Sequence, residues 1–121
     1  MAPGRVYLIE DDASVRKALH RLIRIAGFHV ESFADCAAFL ASRAPSRPAC
    51  LVLDIRMAVM TGLELRSAIA GTPHALPIVF ITGHGDESVR TQALSDGAVD
   101  VLFKPIDEMA LVAAIERALE L

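Results

Sequence analysis

The stretch "ACLVLDIRMAVMTG", residues 49–62, decides how this chain folds. Cys50 to Leu53 form a short apolar run, the length of a buried strand, and the run ends on a carboxylate, Asp54. A loop carrying Arg56 and Ala58 and ending at Gly62 follows. A buried strand that stops on a charge raises the question of what else the chain brings to that edge.

Upstream, residues 5–9 (RVYLI) are an apolar strand running into Glu10, Asp11 and Asp12. A helical pattern follows, with Val15, Leu19, Leu22, Ile23 and Ala26 on one face, Arg16, Lys17, Arg21 and Arg24 largely off it, and Gly27 as its C-terminal cap. Residues 28–33 alternate like a strand, residues 35–42 form a short helix offering Cys36, Phe39 and Leu40 for packing, and "SRAPSRP" (42–48) is a loop. Downstream of Gly62 a helix presents Leu63, Leu65 and Ile69, "GTPHALP" (71–77) is a loop, and "IVFIT" (78–82) is a fourth strand. A mostly polar helix spans 86–97 and closes at Gly97, residues 99–103 form a fifth strand, and the last helix, 107–120, turns Leu111, Val112, Ile115 and Leu119 inward. Five strands alternating with five helices predict an α/β fold, a single (βα)5 doubly wound parallel sheet covered on both faces.

Composition bounds the rest. At 121 residues, 54% hydrophobic and 22% charged, the chain fits one domain, 1–121, with a full core; no effector domain is expected within it, whether it stands alone or is a piece of a longer regulator. No apolar run approaches the roughly 18 residues of a membrane helix. Nothing at the N-terminus resembles a secretory signal, so a cytoplasmic location is expected. Cys36 and Cys50 lack metal-ligand spacing and read as reduced core residues. A net charge of −3 gives no general drive toward nucleic acid.

Open parallel sheets bind ligands beyond the carboxyl ends of their strands. There this sequence places Glu10, Asp11, Asp12, Asp54, Thr82 and Lys104-Pro105. Singly, each has a plain explanation: Asp12 as a helix cap, Asp54 as a turn former, Thr82 as a strand residue and Lys104 as a solvated charge. Together the acids repel one another, and a hard divalent cation such as Mg²⁺ (or Mn²⁺) removes that repulsion. The chemistry that uses such a set is phosphoryl transfer to a carboxylate, with Asp54 as nucleophile, Lys104 and Thr82 meeting charge on the phosphoryl oxygens, and Gly83 leaving room for the incoming group.

The segments "LIEDD", "LVLDIRMAVMTGLEL", "IVFITGHGD" and "GAVDVLFKP" stand in the order and spacing of a response-regulator receiver domain of two-component signalling, which the whole chain resembles. "ITGHGD" resembles the FixJ type in particular. The resemblance implies a flavodoxin-like sheet of order 2-1-3-4-5 and phosphorylation of Asp54 by a partner sensor histidine kinase. It implies Mg²⁺ held directly by Asp11, Asp54 and the main-chain carbonyl of Arg56, with Glu10 acting through water. Thr82 and Lys104 then contact the phosphoryl group, and the Lys104–Pro105 bond is cis. The altered face, 82–103, is expected to control dimerisation through 86–120 or an output domain, such as a C-terminal DNA-binding domain outside this chain.

The sequence departs from that pattern. Val101 stands where an aromatic commonly rotates inward, so the usual aromatic readout is lost; valine is expected to pack under the last helix, and signalling to pass through the loop after Thr82 and the polar helix. Ala58 replaces a usual proline, which leaves two readings: a loop ordered by other contacts, or a phosphorylation loop with more freedom. Arg56 and His84, two residues beyond Asp54 and Thr82, are candidates for setting phosphate lifetime. Two other functions compete. An aspartate-nucleophile phosphatase of the haloacid dehalogenase kind needs a second carboxylate where Arg56 stands. A receiver-like module that is never phosphorylated has no use for the intact acids, Thr82 and Lys104. The expectation is therefore a switch that turns over no outside metabolite and is not an enzyme beyond its own phosphorylation and dephosphorylation.

Overall fold

A computed structural model describes residues 4–43, 45–55, 62–83 and 87–120. The elements run β1 (Arg5–Ile9), α1 (Ala13–Ile25), β2 (His29–Phe33), α2 (Cys36–Leu40), β3 (Ala49–Asp54), α3 (Gly62–Ile69), β4 (Ile78–Thr82), α4 (Glu87–Ser95), β5 (Asp100–Phe103) and α5 (Glu108–Leu119). All strand pairs are parallel, in the order β2-β1-β3-β4-β5. The fold is the expected one.

Alternation along the strands divides the core in two. Tyr7, Ile9, Leu51, Leu53 and Phe80 face α2 and α3, where Phe39, Leu65 and Ile69 meet them. Val6, Leu8, Cys50, Val52, Val79 and Ile81 face the other way, onto Leu19 and Ile23 of α1 and Leu111, Ala114, Ile115 and Ala118 of α5. Every residue of β3 is buried, as a central strand covered on both faces requires. Cys36 and Cys50 lie in opposite halves of the core, and burial pushes their thiols up to about 11 and 12, so both stay protonated packing residues.

Val101 corrects the sequence reading. It is fully buried in the half of the core formed with Phe80, Leu65 and Ala93 of α4, not under the last helix. Period-two alternation explains this: Phe80, its partner across β4–β5, points to the same face. Among its described residues α4 buries only Ala93 fully, which makes it a lightly seated helix.

Helix starts and stops follow local chemistry. Asp12, Asp35 and Asp107 are N-caps whose carboxylates accept amides one turn on, from Ser14 and Val15, Ala38 and Ala110. Gly97 ends α4 at φ +99°, and a methyl group there would also stand 2.5 Å from Arg66 Nη2. The guanidinium is able to swing aside, whereas the backbone angle is not. Gly97→Ala is therefore expected to lower the free energy of unfolding by about 1–2 kcal/mol in urea titrations; a loss under about 0.3 kcal/mol would contradict this account of the turn.

Candidate functional site

Strand register assembles the site. Ile9 pairs with Leu53 and Asp54 with Ile81, so the residues that follow β1 flank the last residue of β3, and Thr82 ends the neighbouring strand. Thr82 pairs with Phe103, and the Lys104 amide donates to the Thr82 carbonyl at 2.8 Å, which fixes where β5 releases its lysine. The Lys104–Pro105 peptide is cis, as is Arg47–Pro48, for which the sequence reading had no expectation.

Lys104 is the centre of the arrangement. Its Nζ donates to Glu10 Oε1 at 2.8 Å and to Asp54 Oδ2 at 2.9 Å. Glu10 is completely buried, Asp54 is 5% exposed and Thr82 is fully buried, so the two acids sit in the sheet edge rather than on its surface. Glu10 uses its second oxygen to accept the Asp12 amide at 3.1 Å. Glu10, Asp11 and Asp54 each offer a carboxylate oxygen within 4.8 Å of the others. Three hard oxygen donors at that spacing, one of them exposed, suit Mg²⁺ with water completing its shell.

Electrostatics follow from burial. Loss of water raises the Glu10 pKa, and the repulsion of Asp54 adds to it; the bonds from Lys104 and the Asp12 amide only partly oppose this. Burial alone pulls Lys104 down, but hydrogen bonds to Glu10 and Asp54 and their negative charge outweigh it, so its pKa lies above the ordinary lysine value. The ammonium holds together two carboxylates that would otherwise repel.

Glu10, Asp11, Asp54, Thr82, Lys104 and Pro105 thus gather at one edge of the sheet. Gly83 follows Thr82 directly; among the described residues a Cβ there would meet Lys104 Cδ at 3.8 Å, an ordinary contact. Val101 lies on β5 beneath α4, away from this edge. Arg56, Ala58 and His84 fall outside the described residues. The sequence reading missed that Glu10 binds Lys104 directly. It also missed a cluster beside β5: Asp100 accepts Arg117 Nη2 at 2.7 Å and lies 3.7 Å from Arg90 Nη2. Arg90 donates to the Val101 carbonyl at 3.3 Å and stacks on Phe103, 5.8 Å from the ring centre. The signal available was charge of opposite sign on neighbouring elements, which linear spacing does not reveal.

The whole chain resembles known proteins. The family described as the response regulator receiver domain matches residues 6–116. The response regulator protein TmoT of Ectopseudomonas mendocina is 39% identical over 116 residues, covering 96% of this chain and 53% of that protein. The transcriptional regulatory protein FixJ of Bradyrhizobium diazoefficiens is 40% identical over 116 residues, covering 96% of this chain and 57% of that protein. The crystal structure of FixJ-N superposes with a TM-score of 0.88 at 37% identity, covering 99% of this chain and 96% of that one. The chain therefore spans about half the length of the curated relatives it matches.

Removing the Lys104 charge tests the electrostatic account. A carboxyl whose pKa is higher in the folded chain takes up protons on folding. Its contribution to stability is therefore greatest below its ordinary value of 4.5 and is lost as pH rises through the raised one. Lys104→Met is expected to cost roughly 2–3 kcal/mol at pH 7, because two facing carboxylates lose their cation. The deficit should narrow as pH falls from 7 to 5, because the raised Glu10 pKa favours its neutral form toward acid, and in millimolar Mg²⁺. Denaturant titrations at both pH values check this; an equal deficit at pH 7 and pH 5 would contradict it.

Proposed function

Because the chain belongs to the response regulator receiver domain family, and so is the receiver of a two-component response regulator, we propose that it accepts a phosphoryl group on Asp54 from a partner histidine kinase. The observation that carries this reading is the ammonium of Lys104 held at 2.8 and 2.9 Å between Glu10 and Asp54 at the carboxyl edge of the sheet.

An Asp54 carboxylate oxygen attacks the phosphorus of a phosphorylated imidazole. The new P–O bond forms as the P–N bond breaks, and the imidazole leaves with the bonding pair. Asp54 is fixed by strand burial, so little freedom is lost on reaching the donor. Lys104 lies within reach of charge growing on the phosphoryl oxygens, and the Thr82 hydroxyl comes from the adjacent strand. Receiver domains generally bind Mg²⁺, which here would lie among Glu10, Asp11 and Asp54 and supply further neutralisation of phosphoryl charge. An apolar groove of about 300 Å³ runs from Lys104 along Pro105 and Ile106 to Val15, Leu19 and Leu22 of α1. Its continuity with the Asp54 edge supports it as the seat for the histidine-bearing element of the kinase.

The output is read from the other side of the sheet. Among its described residues α4 buries only Ala93 fully, and Arg90 ties it to β5 through Val101, Phe103 and Asp100. Arg117 ties α5 to the same Asp100. With valine at 101, this polar seat supports a population shift of α4 as the readout. It would act on a dimer partner or on an output domain, DNA-binding by analogy with the transcriptional relatives.

Incubation with Mg²⁺ and acetyl phosphate is expected to add one phosphoryl group, seen by intact mass, to wild type and none to Asp54→Asn; an equal gain in both would remove Asp54 as the acceptor. Light scattering is expected to show a weak dimer tightened by a beryllofluoride mimic; a tight dimer in both states would contradict the switch at this face.

A further inference from the structure

Asp11 is the exposed member of the acidic trio, so its aim depends on the backbone around it. Two bonds hold the two peptide planes that flank it. The plane before Asp11 contains the Glu10 carbonyl, which accepts Arg16 Nη1 at 2.9 Å. The plane after it contains the Asp12 amide, which donates to Glu10 Oε2 at 3.1 Å. Arg16 is itself set by the first helical bond of α1, from its amide to the Asp12 carbonyl at 2.8 Å, beyond the Asp12 cap. The Glu10 amide is tied in turn to the Phe33 carbonyl of β2 at 3.1 Å. The guanidinium thus reaches back six residues from the helix to close the loop that carries Asp11.

We propose that Arg16 is a positioning residue for divalent-cation binding, fixing the Glu10–Asp11 peptide so that the Asp11 carboxylate converges with Asp54. This rests on the reading of Glu10, Asp11 and Asp54 as a Mg²⁺ site. The sign of the effect separates positioning from simple charge. A guanidinium near a cation site repels the cation, so on charge alone its removal would tighten Mg²⁺ binding. Loss of positioning weakens it, as loss of the groups that orient metal ligands commonly does.

The test is calorimetric titration of the intact chain with MgCl2 alone, with urea stability measured on the same proteins. Arg16→Met is expected to weaken Mg²⁺ about tenfold. Arg16→Lys keeps a donor and a charge on a long stem and should recover most of the affinity. Amide NMR shifts should move at Asp11 and Asp12 in Arg16→Met and stay in place along α5. Unchanged or tighter Mg²⁺ binding in Arg16→Met, with Asp11→Asn abolishing it, would overturn the role of Arg16 alone. Wild-type affinity in Asp11→Asn would overturn the metal site and the inference with it. Equal weakening in Arg16→Met and Arg16→Lys, in proportion to lost stability, would make Arg16 a merely structural residue.

Discussion

Two carboxylates buried side by side at the end of a parallel sheet are tolerable only with a cation between them, and Lys104 is that cation here. Much of the architecture serves to bring it there. β5 must lie next to β4, and the Lys104 amide just beyond it must meet the Thr82 carbonyl, so that the lysine side chain reaches back to Asp54 at the end of β3 and to Glu10 after β1. Glu10 and Asp54 come from strands adjacent in space but 44 positions apart in the chain. The site is therefore a property of the sheet order, and no isolated segment carries it.

The same strand that delivers Lys104 carries the polar seat of α4. Phe103 precedes the lysine and pairs in register with Thr82, while Arg90 lies over its ring. Asp100, at the other end of β5, is shared by Arg90 and Arg117, so α4 and α5 are both tethered to one short strand. Such half-exposed ion pairs are individually weak, which suits the proposed exchange of α4 between two packings. A deep apolar anchor on α4 would work against that.

Much of this was legible in the sequence because it depends on local rules. Strand ends show as apolar runs meeting charge, Asp12 and Gly27 stand where caps belong, and the alternation of strands and helices leaves few topologies. The face on which Val101 packs was misjudged. Which helix covers a given side of a buried strand depends on sheet handedness and on the register with β4, neither of which is written in residues 99–103. The contacts of Glu10 escaped for a related reason: its partner is 94 residues away, and only the length of its side chain hinted at a long reach.

That length now has a physical use. One Glu10 oxygen binds Lys104 and the other closes the loop onto Asp12, so a single buried carboxylate couples the lysine to the loop bearing Asp11. An aspartate would be shorter by one methylene, about 1.5 Å, and from the same backbone it would have to give up one of the two bonds. Glutamate at this position therefore acts as a strut as much as a charge. Because both its oxygens are engaged, the member of the trio better placed to meet an incoming cation is Asp11, on the exposed loop after β1. On the proposed Mg²⁺ site, affinity would then follow how firmly the loop aims Asp11, so that the backbone between β1 and α1, rather than the number of acids, would tune it.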